Sequence, residues 1–133
     1  MDETARRVAE EVTRASDEER ISFPDVVQAL MAAGVERYHA DLPHGRRTYS
    51  MPDGSAQTVA GHALSGPVAE RFSADAVAAA VRAVQKGEIQ YREFCDRIAA
   101  AGCPGYHVFI AGRRVVYYGR DGGLHVEHFP GAK

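Results

Sequence analysis

The stretch AAGCPGYH, residues 100–107, nearly repeats the stretch AAGVERYH, residues 32–39. Both contain Ala-Ala-Gly followed by Tyr-His, and they begin 68 residues apart. Ala-Ala-Gly is typical of a helix end, because glycine adopts the conformation that closes a helix. Tyr-His begins an alternating pattern that is typical of a strand. The repeat therefore predicts the same helix-to-strand connection twice in one chain.

Similar residues surround the two stretches in the same order. Five identities relate residues 23–39 to residues 91–107: Ala32/Ala100, Ala33/Ala101, Gly34/Gly102, Tyr38/Tyr106 and His39/His107. Two further matches follow: Gly45-Arg46-Arg47 with Gly112-Arg113-Arg114 at an offset of 67, and Asp53-Gly54 with Asp121-Gly122 at 68. Coincidence is the rival explanation, since Ala-Ala-Gly is common at helix ends. The ordered series favours a tandem duplication.

Each half predicts two helices. The first has an apolar stripe at helical spacing: Ala5, Val8, Ala9, Val12 and Ala15. The second begins at Ser22, a favourable N-cap, and its expected buried side is Val26, Val27, Leu30 and Met31. In the second half, Ser73 caps the third helix, and the stretch YREFCDRIAAAG, residues 91–102, forms the fourth.

Each half also predicts three strands. Tyr38, Ala40 and Leu42 alternate with polar residues, and further strand patterns follow in RRTYSM, residues 57–59, GYHVFIA, RVVYYG and LHVEHF. We predict an α+β fold, a tandem duplication of an α-α-β-β-β unit in which helices pack on one side of an antiparallel sheet. Residues 1–133 form a single domain, with halves at about 1–59 and 72–130 joined by a connection at 60–71.

Composition limits the function. The chain has 133 residues, 45% of them hydrophobic, and its net charge of −2 gives no global attraction to nucleic acid or anionic lipid. No run approaches the ~18 apolar residues of a membrane span, and the N-terminus lacks the apolar segment of a signal peptide. Two cysteines are too few for a disulfide framework. We expect a cytoplasmic protein with no membrane association and no nucleic-acid partner.

The second half resembles a known family. The resemblance rests on YREFCDRIAAAG, GYHVFI, VVYYGRDG and the ending HVEHFP. These stretches look like the YbcV-like domain-of-unknown-function family, some members of which are labelled phage envelope protein. The likeness extends over about residues 23–130. It implies a small bacterial α+β protein, and it implies neither an activity nor any site residues.

The histidine-rich ending suggests a metal site. His125 and Glu127 lie two residues apart and so share one face of a strand. If Leu124 and Val126 face the core, His125 and Glu127 face outward, beside His107. Two imidazoles and a carboxylate can hold Zn²⁺, Fe²⁺ or Mn²⁺. The alternative, an exposed polar strand face, is the preferred interpretation, and we predict no cofactor.

The repeated Gly-Arg-Arg suggests an anion site. Arg46, Arg47, Arg113 and Arg114 begin equivalent strands, and together they would form a basic edge for phosphate or nucleic acid. The simpler interpretation is that arginine keeps a strand edge soluble and blocks edge-to-edge pairing. We see no recognised nucleic-acid motif.

A cysteine nucleophile needs a neighbouring base and an activating environment. Cys95 lies on the apolar side of the fourth helix, where we expect it to pack in the core. Cys103 follows Gly102 in a loop, where it could be exposed, but the sequence assigns it no partner.

The sequence favours a non-catalytic binding or protein-interaction module. Tyr38 and Tyr106 should face the core, so His39 and His107 should face away from it. His107, Phe109 and Tyr118 are the candidate contact surface, for self-association or for a partner protein. The alternative is a small enzyme or sensor with a metal or small-molecule pocket near His107, His125 and Glu127.

Overall fold

The computed structural model describes residues 1–130. Its elements are α1 (Glu3–Asp17), α2 (Phe23–Ala32), β1 (Arg37–Asp41), β2 (Arg46–Ser50), β3 (Ala56–Ala60), α3 (Ala74–Gln85), α4 (Tyr91–Ala100), β4 (Gly105–Phe109), β5 (Arg114–Tyr118) and β6 (Leu124–His128). The order α-α-β-β-β therefore occurs twice, and the predicted α+β class is confirmed.

The helix ends follow local chemistry. The side chains of Asp2, Ser22 and Ser73 each accept a backbone N–H three residues further on, which satisfies one of the free donors at a helix start. Gly34 and Gly102 follow α2 and α4 with φ of +83° and +85°, a conformation that costs glycine little. The predicted caps at Ser22 and Ser73 are confirmed.

All six strands form one antiparallel sheet in the order β3-β2-β1-β4-β5-β6. The halves meet at β1 and β4, where His39 pairs with His107. Every strand pair of the first half recurs in the second with both partners shifted by 68: Arg37 pairs with Ser50, and Gly105 with Tyr118. The same shift exchanges β1 and β4, so a pseudo-twofold axis passes through the His39–His107 pair.

The predicted offset of 67 in the hairpin turns is wrong. Gly45 and Arg113, 68 residues apart, have φ of +62° and +55°, so they are equivalent turn residues. The offset of 68 therefore continues through the turn. Arg47 is equivalent to Val115, not to Arg114.

The helices cover one face of the sheet, called here the helix face. α1 packs on α2 and β3, and α3 packs on α4 and β6. Buried side chains of the inner strands lie on this face: Tyr38, Ala40, Arg47, Tyr49, Tyr106, Val108, Val115 and Tyr117. A hydrogen bond of 2.7 Å between the Thr13 and Tyr49 hydroxyls ties α1 to the sheet.

None of the four helices described lies on the opposite side of the sheet, called here the open face. The prediction that Met31 lies in the core is wrong, because its side chain is 58% exposed. It lies about 100° around α2 from the buried Leu30, because the helix has 3.6 residues per turn. None of the helices within residues 1–130 combines the length and the apolar run needed to cross a bilayer.

Candidate functional site

A cavity of about 610 Å³ lies between the helices and the helix face of the sheet. Its floor consists of side chains from four strands: Tyr38, Arg47, Tyr106, Val115 and Tyr117. Its walls come from α2, α3 and α4: Phe23, Val26, Val81, Val84, Tyr91 and Phe94. This volume and this largely apolar, aromatic lining are typical of small-molecule sites.

The cavity spans the junction of the two halves, because both members of several repeat pairs line it. These pairs are Ser16/Val84, Ile21/Ile89, Ser22/Gln90, Phe23/Tyr91, Val26/Phe94, Tyr38/Tyr106 and Arg47/Val115. In two pairs a polar residue of the first half corresponds to a valine of the second. The cavity is therefore charged at its β2 end and apolar at β5, three strand spacings or about 14 Å away.

The charged end consists of Arg47, which is only 5% exposed. Among residues 1–130 it is the only charged side chain that is buried. Its Nη1 donates to Ser16 Oγ at 3.4 Å. Its Cζ lies 5.7 Å from the ring centroid of Tyr38 and 5.1 Å from that of Tyr91. Within the described chain it forms no ion pair.

A guanidinium stays charged at physiological pH and carries five N–H donors. Burying a charge costs several kcal/mol unless partners compensate it. The two rings supply cation–π attraction of up to about 2 kcal/mol each where water is excluded. One long hydrogen bond and two rings leave most of the donors of Arg47 without an anionic acceptor. The cavity therefore has an incompletely compensated positive charge in its wall.

The tyrosines around Arg47 add hydroxyl groups. The hydroxyls of Tyr91 and Tyr106 lie 2.9 Å apart in a hydrogen bond. Burial raises the pKa of Tyr38, Tyr91, Tyr106 and Tyr117, so these phenols keep their protons near pH 7. The cavity wall offers hydrogen-bond donors here, and it offers no phenolate base.

The rim of the cavity near β6 carries the opposite charge. Glu127 lines the cavity, and its Oε2 lies 2.6 Å from His125 Nε2 in a hydrogen bond. Phe129 packs edge-on against Phe23 with ring centroids 5.5 Å apart. Exposed side chains complete the rim: Ser22, Pro24, Gln85, Gln90 and His128. The cavity is thus open to solvent beside a carboxylate.

Residues 8–128 match the family model described as Protein of unknown function (DUF1398). The chain belongs to the DUF1398 family. The match includes Arg47 and the cavity lining as far as His128. The match shows a domain family of unknown function, which is the general part of the expectation, and the YbcV-like and phage-envelope labels stay predictions. No curated protein matches the chain.

On its open face, this DUF1398 chain brings its two repeated histidines together. The His39 and His107 rings stack with centroids 4.5 Å apart, and His39 Nε2 lies 2.7 Å from the Tyr118 hydroxyl. Phe109 stacks on His107 at 6.1 Å. The predicted surface residues His107, Phe109 and Tyr118 are therefore neighbours, and His39 is a fourth member that the sequence did not reveal.

Both histidines have a lowered pKa. For His39 the cause is burial, which the nearby Asp41 opposes. For His107 the causes are burial and the neighbouring charges of His39 and Arg37. A proton on either ring is therefore less favourable than on an exposed histidine.

The proposed metal ligands do not converge. The β5–β6 register pairs His125 with the buried Tyr117, and Glu127 with the buried Val115. His125 and Glu127 therefore lie on the helix face, while His107 lies on the open face. The expectation that Leu124 and Val126 face the core is wrong, because they are 63% and 43% exposed. Only Glu127 of the predicted trio lines the cavity.

The four arginines form no common edge. Asp41 pairs with Gly105 and Arg37 with Phe109, so the turns after β1 and β4 lie at opposite ends of the sheet. Arg46 pairs with Asp41 at 3.7 Å on the open face. The Arg114 Nε–H donates to its own turn at Gly112 O, 3.3 Å away, and Arg113 is an exposed turn residue. Of the four, only Arg47 lines the large cavity, and Arg46 borders a second cavity of about 20 Å³.

Neither thiol is accessible for nucleophilic chemistry. Cys95 is 7% exposed, as expected for a core residue, and burial raises its pKa to about 12. Cys103 is fully buried although its loop position left it open to exposure. Its Sγ–H donates to Gly105 O at 3.0 Å, and burial raises its pKa to about 11.

The inward position of Arg47 was not predicted, and the only signal for it in the sequence is its spacing from Tyr49. Arg47 and Tyr49 are two residues apart and share a strand face. Tyr49, which pairs with the inward Tyr38, is fully buried. Arginine is almost never fully buried unless it is paired, so an arginine on the same strand face as a buried tyrosine is an unusual feature.

Proposed function

We propose that this protein is a binding module that holds a small molecule with a mainly apolar body in the cavity between its helices and its sheet. The observation that carries the proposal is the cavity of about 610 Å³, open at one rim and lined by side chains of both halves. In an open cavity of this size, apolar side chains of both halves face water, which is unfavourable. A ligand with an apolar body removes that apolar surface from water.

The test uses N-phenyl-1-naphthylamine, a neutral probe that fluoresces in apolar surroundings. We expect a saturable signal from one site on the full chain. Val115→Phe places a ring in the cavity and should abolish the signal. Val116→Phe is the matched control, since Val116 is the next residue and points to the open face. As a second block, Val84→Phe fills the cavity from α3 if Val115→Phe unfolds.

Two outcomes contradict the proposal. The first is the absence of a saturable signal with the wild-type chain. The second is binding that survives both Val115→Phe and Val84→Phe in folded protein.

A second candidate function is self-association through the open face. Leu124 and Val126 are large apolar side chains exposed there, and they adjoin the strand that carries Tyr118. Light scattering after size exclusion should then show a dimer, which Val126→Lys converts to a monomer. A strict wild-type monomer at high protein concentration contradicts this candidate and leaves the cavity proposal untouched.

A further inference from the structure

We propose that the ligand of this cavity is an organic acid whose single carboxylate pairs with Arg47 and whose apolar body extends across the sheet towards β5. This inference rests on the proposed function and names the ligand class for the same site. The geometry that supports it is the position of one buried cation at one end of an apolar cavity.

Arg47 has the form that carboxylate recognition requires. A guanidinium presents parallel N–H groups that match the two oxygens of a carboxylate, and such paired hydrogen bonds are among the strongest in proteins. The only side chain of residues 1–130 that accepts a hydrogen bond from Arg47 is Ser16, at 3.4 Å. The remaining donors are therefore available to a ligand.

The surroundings of Arg47 favour an anion from outside the chain. Asp17 borders a smaller cavity of about 20 Å³ that also touches Arg47, but Asp17 Oδ2 accepts the His62 N–H at 2.8 Å. The hydroxyls of Tyr91 and Tyr106 stay protonated and line the larger cavity next to the guanidinium. One hydroxyl donates to the other, so one O–H remains that can donate to a carboxylate oxygen bound by Arg47.

The second half of the cavity determines the rest of the ligand. At the positions equivalent to Arg47 and Ser16 it has Val115 and Val84, which offer only apolar contact. Glu127 adds a negative charge at the far rim. A second carboxylate on the ligand would approach Glu127 and be repelled. The cavity therefore suits a monocarboxylate with an aliphatic or aromatic body.

The experiment compares three probes of nearly one shape by calorimetry on the full chain: 4-phenylbutyrate, 4-phenylbutanamide and 4-phenylbutylamine. They are an anion, a neutral amide and a cation. We expect the carboxylate to bind at least about tenfold more tightly than the amide, as a charge-assisted hydrogen bond implies, and the amine to bind most weakly. The wild-type series decides the question without any variant.

Arg47→Met should remove the preference for the carboxylate, because the carboxylate loses a paired, charge-assisted contact whereas the amide loses at most a hydrogen bond to its single oxygen. Arg46→Met is the matched control, because it removes the same charge from the neighbouring residue on the open face. The control should keep the full preference.

Equal binding of acid and amide overturns this inference, as does tighter binding of the amine, which would make Glu127 the determinant. A preference that survives Arg47→Met overturns it too. N-phenyl-1-naphthylamine separates the two proposals. If this neutral probe binds and the acid shows no preference, only the ligand class is wrong. If neither binds, the proposed function is wrong as well.

Discussion

The two halves of this protein share a backbone plan and differ in chemistry. Strand for strand they keep the offset of 68, including the left-handed turn residues Gly45 and Arg113. On that common plan the first half carries Arg47 and the second carries Val115, and both line the same cavity. The two halves therefore keep the same main-chain geometry although the side chains at equivalent positions differ. The asymmetry of the cavity comes from that divergence.

The largest effect should come from a position where the halves look identical. Gly34 and Gly102 are equivalent, but a Cβ on Gly102 would collide with the backbone of Arg71, whereas one on Gly34 meets only Met51 Cε at 3.5 Å. We expect Gly102→Ala to cost about 3–5 kcal/mol, from left-handed strain plus overpacking. Gly34→Ala should cost about 1 kcal/mol, from strain alone. Urea unfolding measures both, and equal losses would contradict the comparison.

The second-largest effect should be an increase in stability, caused by a substitution at Arg47. Arg47→Met makes the first half resemble the second and removes a buried, incompletely paired charge. We expect the free energy of unfolding to rise, by an amount on the order of the 1–4 kcal/mol found when apolar residues replace buried ion pairs. Arg46→Met, at an exposed ion pair, should change it by less than about 1 kcal/mol. A large loss of stability in Arg47→Met would show that the arginine has a structural role.

Protonation tests the axis where the halves meet. Because the pKa values of His39 and His107 are lowered in the folded state, the unfolded chain binds more protons near the ordinary histidine pKa of about 6.5. The free energy of unfolding is therefore highest above that pH, and it decreases as the pH falls below it. Melting temperatures between pH 8 and pH 5 measure this slope. His39→Gln with His107→Gln should flatten it, and His62→Gln, an exposed control, should not.

The smallest effect should come from the cysteines, whose counterparts in the first half are Val27 and Val35. Cys95→Val and Cys103→Val copy those residues into equivalent buried positions. Each should change stability by less than about 1.5 kcal/mol, since side-chain volume is nearly kept and Cys103→Val loses only a weak S–H donor to Gly105 O. In the native wild type both thiols should react slowly with a disulfide reagent, and denaturant should release them. Rapid native labelling would contradict their burial.

Much of the fold could be predicted from the sequence, because its signals are local. Ser22 and Ser73 cap the helices that follow them. Neighbouring residues of a strand such as Tyr38 and His39 point to opposite faces, whichever strands pair with it. The prediction for Met31 was wrong because the buried side of α2 includes Val26, Val27 and Leu30 but does not extend to the next residue. The predicted offset of 67 in the hairpin was wrong because it aligned identical residues, Gly-Arg-Arg with Gly-Arg-Arg. The turn conformation instead makes Arg113 equivalent to Gly45.

The candidate site was less predictable, because it depends on strands that are distant in the sequence. The alternation of side chains along a strand predicts that His125 and Glu127 share one face of the sheet, but it does not predict whether this is the helix face or the open face. That choice follows from pairing with Tyr117 and Val115. The basic edge failed for a related reason, since the antiparallel order of β1 and β4 sends the two turns to opposite ends of the sheet.

By itself, the sequence determined the helices, the strands and their duplication, since caps, turns and alternation act within a few residues. Only the tertiary structure decided that β1 pairs with β4, which stacks His39 on His107 and joins the two halves of the cavity. It also decided that Arg47 meets Ser16 and Tyr91 from two helices. The physical reason is that burial and charge compensation depend on side chains that only the packed helices and sheet bring together.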